Sequence, residues 1–220
     1  MNVLVIAPHP DDEVLGCGGT IAKRVEEGHS VYVCVVTKGC EPLFHEEYVE
    51  QGRSECREAD KYLGVKETIF LDFPAAMLEE VSRYKLNGAL LQVVQKVKPD
   101  EVYIPHRGDM QIDHKMVVDA AMVALRPKYE RAVKRIYAYE TLSETGWDIP
   151  NTVNEFIPTV YEDISETIDK KLIAMNIFKS QLADFPAVRS LGAIEALAKY
   201  RGATIGAMAA ESFTLIREIK

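Results

Sequence analysis

Short apolar runs alternate with longer amphipathic stretches along the first two thirds of the chain. Val3-Leu4-Val5-Ile6 is an unbroken aliphatic run, too short for a helix and suited to a strand buried on both faces. Residues 30–37, 68–71, 101–104 and 135–139 read as further strands. Between them, residues 21–27, 48–63, 79–97 and 115–125 read as helices. In 79–97, Leu86, Leu90, Val93, Val94 and Val97 recur at helical spacing, and Gly28 and Gly64 stop two of the others. Past residue 139 the pattern loosens: 140–151 reads as a loop, 156–161 as a strand, 164–182 as a helix and 192–210 as a mainly helical tail interrupted by Gly202 and Gly206. Phe213-Thr214-Leu215-Ile216 closes it as a short apolar run. This alternation predicts an α/β fold with a mostly parallel sheet, whose ligands bind at the carboxyl ends of the strands. The length, 220 residues, suits one domain over residues 1–220, and no repeat, linker or low-complexity segment divides it.

Two strands lead directly into chemistry. Ala7-Pro8-His9-Pro10-Asp11-Asp12-Glu13 follows the first, with prolines that end the strand and hold His9 between them. His9 and Asp12 can converge on one small cation if the chain turns into a helix between them, and an imidazole with a carboxylate suits Zn²⁺ or a similar divalent metal. Asp11 need not point the same way, so it can hold a water beside that metal. The positive end of a helix starting here would help keep these carboxylates ionised. An acidic helix cap is the simpler reading, but a cap requires neither His9, nor two prolines, nor a glycine-rich turn. Gly16, Gly18 and Gly19 would be costly inside an isolated helix and predict close approach of a ligand or a neighbouring strand. Their spacing is not a dinucleotide-binding fingerprint. The fourth strand repeats the layout: Pro105 ends it, and His106-Arg107-Gly108-Asp109-Met110-Gln111-Ile112-Asp113-His114 precedes a helix. His114 and Asp12 are therefore expected to be neighbours at one edge of the sheet.

Composition narrows the partners. A net charge of −8 disfavours nonspecific binding to nucleic acid or an anionic membrane surface and suits a neutral or amphipathic substrate. The chain enters a strand at once, and no apolar run reaches membrane-spanning length, so a cytoplasmic location is expected. Cys17, Cys34, Cys40 and Cys56 form no C-x-x-C pair, and disulfides are not expected. Cys34 fits a small core position; Cys17 is either another or a further metal ligand. Most of the charges in the second helix read as a solvated face.

His9-Pro10-Asp11-Asp12-Glu13 after a buried strand, Gly16-Cys17-Gly18-Gly19-Thr20 after that, and Asp109-x-x-x-Asp113-His114 opening a later helix resemble the LmbE/PIG-L family of zinc-dependent N-deacetylases. The likeness is strong to about residue 125 and looser through Tyr200-Arg201-Gly202 and Ala209-Ala210-Glu211-Ser212-Phe213. It implies a Rossmann-like three-layer sandwich with its active site at the strand C-terminal ends. It also implies that acetyl groups are removed from N-acetylglucosamine units. By position, His9, Asp12 and His114 would ligate Zn²⁺ or another divalent metal such as Fe²⁺. Of two catalytic carboxylates, Asp11 would be the general base that later protonates the leaving amine, and Asp113 would orient a ligand or cap its helix. Arg53 resembles a substrate-contacting arginine of relatives.

Two departures stand out. Gln111 occupies a place where many members have His; an amide can donate to an oxyanion but cannot shuttle a proton near neutral pH, which leaves proton transfer to Asp11. Ala75-Ala76 stands where members often have Asp, which alters the sugar contacts. The expected activity is release of acetate from a GlcNAc-containing glycoside or glycolipid precursor, with specificity set by loops at 38–46, 72–80 and 140–151. Cleavage of another amide, such as a thiol conjugate, and a catalytically silent metal- or carbohydrate-binding protein are the alternatives. Relatives often form homo-oligomers, which makes a second copy of the chain a candidate partner.

Overall fold

At the centre of the sheet lies β1 (Asn2–Ala7), flanked by β2 (Ser30–Lys38) on one side and β4 (Glu101–Pro105) on the other, both parallel to it. The computed structural model describes residues 1–128 and 132–220. Beyond β2 comes β3 (Glu67–Pro74) and beyond β4 comes β5 (Arg135–Tyr139), again parallel; β7 (Ala210–Glu218) then runs antiparallel between β5 and β6 (Val160–Asp163). The order β3-β2-β1-β4-β5-β7-β6 reverses direction between β1 and β4, so a crevice opens at their carboxyl ends.

The period of two along β1 divides the core. Val3 and Val5 face a layer built from α1 (Asp12–Glu26), α2 (Glu46–Leu63), α5 (Ile168–Ile177) and α6 (Leu191–Ala203). Leu4 and Ile6 face α3 (Arg83–Val97) and α4 (Ile112–Ala124). The result is the three-layer, mostly parallel α/β sandwich that the strand–helix alternation predicts. Cys17 and Cys34 are buried among apolar side chains of the two layers, which removes Cys17 from the metal candidates.

The boundaries differ from the sequence reading where tertiary packing overrides propensity. The first helix starts at Asp12 rather than residue 21, because its glycines let neighbours close in: a Cβ on Gly16 would stand 2.2 Å from the Tyr139 ring, and one on Gly19 2.6 Å from Ile164. The expectation was close approach of a ligand or a neighbouring strand; at Gly16 it is Tyr139 of β5 that approaches. The stretch 79–97 divides into a 3₁₀ turn, Leu78–Glu80, and α3. The apolar end of the chain is the full strand β7, and the helical tail stops at Ala203. The strand placed at 156–161 is Val160–Asp163, and the helix placed at 164–182 is Ile168–Ile177. No helix among the described residues is long and apolar enough to cross a membrane.

Candidate active site

The exits of β1 and β4 bring His9, Asp12 and His114 together. His9 and His114 have ring centroids 5.4 Å apart. Asp12 Oδ2 lies 3.2 Å from His9 Nδ1 and 3.3 Å from His114 Nε2, and one ligand atom from each residue fits within 4.8 Å of the others. Each imidazole is fixed from behind. His9 Nε2 is 3.0 Å from Asp113 Oδ2, and His114 Nδ1 is 2.8 Å from Asp109 Oδ2. With one ring nitrogen tied to a carboxylate, the other is aimed at the centre, which is how metal-ligating histidines are held.

Two buried atoms at this centre, His114 Nε2 and Asp12 Oδ1, have no hydrogen-bond partner. Buried polar atoms are seldom left unpaired. Two imidazole nitrogens and a carboxylate suit a divalent cation with open positions remaining, so the residues present fit a catalytic metal.

Electrostatics agree with that fit. Burial opposes charge on His9, yet its hydrogen bonds to the Asp113 and Asp12 carboxylates outweigh it and raise the ring to about 9. Burial likewise opposes charge on His114, but Asp12 and Asp109 raise it to about 10. For Asp12 burial is overcome by the two imidazoles, which hold its carboxyl well below the usual range. Both rings are thus shifted toward the charged form where a divalent ion would place positive charge.

Asp11 lies next to this triad, nearly inaccessible at 1% exposure, as the residue that starts α1. Its φ of 119° is left-handed, a costly state for a residue with a side chain. Glu13 Oε2 accepts its backbone N–H at 3.1 Å and Arg189 Nη1 donates to its Oδ2 at 2.9 Å. Burial pushes the carboxyl up to about 7 against the pull of Arg189. A carboxylate near neutrality is poised to take and return a proton.

A cavity of about 240 Å³ opens beside the triad, lined among others by His9, Asp11, Arg53, Ala76, Gln111 and Arg189. Arg53 is buried rather than on a solvated face: it pairs with Asp72 and stacks 4.3 Å over the Phe70 ring. Gln111 is exposed at the start of α4. Asp113 is not the cap of that helix, since Gln111 precedes Ile112 there and the Asp113 carboxylate is engaged by His9 and by the N–H of Ala76 at 2.6 Å. Ala76, at φ 58°, thus contributes its backbone N–H to the site.

Sequence reasoning missed three participants. Asp109 had a signal, an acid five positions before His114 in the same strand exit. Thr145, whose hydroxyl donates to Asp109 Oδ1 at 2.5 Å, and Arg189 come from distant loops and had none.

A sheet that reverses at two histidine- and aspartate-bearing strand exits defines a class, the α/β proteins with a candidate metal-hydrolase centre. The sequence model described as PIG-L, GlcNAc-PI de-N-acetylase, matches residues 4–125, and the chain belongs to this family, also called LmbE. A protein of Escherichia coli (strain K12) named uncharacterized deacetylase YaiS is 31% identical over 185 residues, 81% of this chain and 91% of its own length. Among solved structures, the N,N'-diacetylchitobiose deacetylase of Pyrococcus horikoshii superposes with a TM-score of 0.80 at 26% identity, covering 98% of this chain and 83% of that one. The 4-carboxy-2-hydroxymuconate hydratase GalB of Pseudomonas putida KT2440 has a TM-score of 0.79 at 20% identity, over 100% and 97% of the two chains. That second likeness concerns the fold alone, and a fold does not select a reaction.

Proposed function

We propose that this protein hydrolyses the acetamide of an N-acetylated amino sugar, a GlcNAc unit within a glycoside or glycolipid precursor, and releases acetate. Zinc is the cation proposed for His9, Asp12 and His114. The observation that carries the reading is the pair of carboxylate-backed imidazoles converging with Asp12, next to a cavity that His9 and Asp11 both line. A divalent cation in that position supplies Lewis-acid polarisation of the amide carbonyl and acidifies a water.

The chain's own residues supply the rest. Asp11 accepts the proton of the attacking water and returns it to the nitrogen as the C–N bond breaks, so neutral amine and acetic acid form, and the acid gives its proton to bulk water as acetate. Gln111, at the cavity wall, donates a hydrogen bond to the oxygen that becomes negative. Arg53, which lines the same cavity, offers donors to sugar hydroxyls, held in direction by Asp72 and Phe70. The cavity is smaller than the roughly 300–1,000 Å³ of drug-sized ligand sites, which suits one sugar unit with the remainder of the substrate outside.

The test is a panel of N-acetylated sugars and other amides incubated with zinc-loaded protein, with acetate and primary amine measured separately. Acetate release from a GlcNAc compound is the expected outcome. Asp11→Ala should retain zinc and lose at least about 10²-fold in turnover, the low end of a general base's contribution. Amine release without acetate would replace the substrate assignment with another amide, and unchanged turnover in Asp11→Ala would remove the base.

A further inference from the structure

The charge that meets the Asp11 carboxylate comes from Arg189, on the connection between α5 and α6 and outside the stretch 4–125 that the family model matches. Its guanidinium is anchored on more than one side. Nε donates to Ser143 Oγ at 2.7 Å, Nη1 donates to Asp11 Oδ2 at 2.9 Å, and Gln181 Oε1 lies 3.4 Å from the same Nη1. The loop itself is closed by Ala183 N–H donating to the Arg189 carbonyl at 3.0 Å.

A guanidinium is planar and presents its donors in a rigid fork, so seating Nε on Ser143 fixes the direction of Nη1. Ser143 is itself left-handed, at φ 76°, a conformation that a side-chain-bearing residue adopts only when its surroundings enforce it. At the other end, Glu13 pins the Asp11 backbone N–H at 3.1 Å. The carboxylate is therefore held from both its side chain and its main chain. Arg189 also lines the cavity with His9, Asp11 and Gln111, and its side chain is 26% exposed, so it is accessible from the side where a substrate would enter.

We infer that Arg189 is the positioning residue for Asp11: it holds Oδ2 and leaves Oδ1 to exchange the proton with water and amine. The inference rests on Asp11 being the base. Its physical content is orientation, because a displacement of about 1 Å in a reacting group costs on the order of 10²-fold in rate. It also assigns a purpose to the loops at 140–151 and 178–190, which meet at this one guanidinium.

The experiment compares Arg189→Ala, Arg189→Lys and Ser143→Gly with the unmodified zinc-loaded protein. Glycine at 143 tolerates the left-handed backbone and removes the side chain on which Nε is seated. For Arg189→Ala, kcat should fall by about 10²-fold with KM changed less than about threefold, the pattern of a lost transition-state interaction, while zinc per chain stays the same. Added guanidinium ion should restore part of that loss. Arg189→Lys should fall between the two, and Ser143→Gly should lose several-fold in kcat. A crystal structure of Arg189→Ala should show the Asp11 carboxylate turned from its place. Unchanged kcat, a loss wholly in KM, failure of guanidinium to rescue, or an unmoved Asp11 would each overturn the assignment. If the unmodified protein releases no acetate from any compound, the proposed function fails, and the position of Asp11 in the variant crystal still decides the role of Arg189.

Discussion

His9 and His114 are legible as candidate ligands because each sits in a short motif directly after a proline-ended strand. What the motifs do not reveal is which carboxylate serves which ring. Asp113, the sequence neighbour of His114, backs His9, while His114 is backed by Asp109 across one turn of the strand exit. Side-chain direction at a helix start decides this, and spacing alone does not encode it. Asp109→Ala should therefore weaken zinc binding by roughly 10–100-fold, the usual effect of losing the group that orients a ligating histidine. Competition against a chelator of known affinity measures it. Unaltered affinity would mean that the packing around buried His114 holds the ring without Asp109.

Elements whose apolar period is local were readable: β1, β2 and β5 fall where their aliphatic runs place them. Helix α1 was not, because three glycines depress its propensity and its stability comes from what packs against it. Gly16 separates the two effects. By propensity, Gly16→Ala should stabilise a helix interior by about 1 kcal/mol. By packing, the new Cβ meets Tyr139, whose hydroxyl is tied to the Ile6 carbonyl at 2.9 Å, so the ring has little room to retreat. Overpacking of this kind costs about 1–3 kcal/mol, and it acts on a buried contact rather than a solvated turn. Packing should win, and Gly16→Ala should lower the Tm by several degrees. A raised Tm in thermal unfolding would contradict this.

Across the whole molecule, the half up to residue 125 carries the motifs and the remainder completes the architecture in ways no local pattern announces. Glu211 of β7 accepts the backbone N–H groups of Gly19 and Thr20 and pairs with buried Lys171 of α5 at 2.6 Å, so the C-terminal strand grips the helix that presents Asp12. Such pairings link residues far apart in sequence, and a single chain gives no sign of them. The charge at the centre is also a property of the assembled fold. Because His9 and His114 are raised from 6.5 to about 9 and about 10, the stability they contribute to the metal-free protein is complete below pH 6.5 and lost as pH rises through those values. The metal-free Tm should fall between pH 7 and pH 10, and zinc added at pH 7 should release protons into solution. A flat Tm with no proton release would mean that the rings are neutral in the absence of metal.

The central claim is that one divalent cation is held jointly by the exits of β1 and β4. A second buried group, Glu13, Cys56 and Asp60, offers a rival set of donors behind Asp11. Anomalous diffraction at the zinc edge from a zinc-soaked crystal distinguishes them. A single strong peak is expected at about 2.0–2.2 Å from an imidazole nitrogen of His9, an oxygen of Asp12 and Nε2 of His114. A peak between Glu13, Cys56 and Asp60 instead, or no ordered peak at all under saturating zinc, would contradict it.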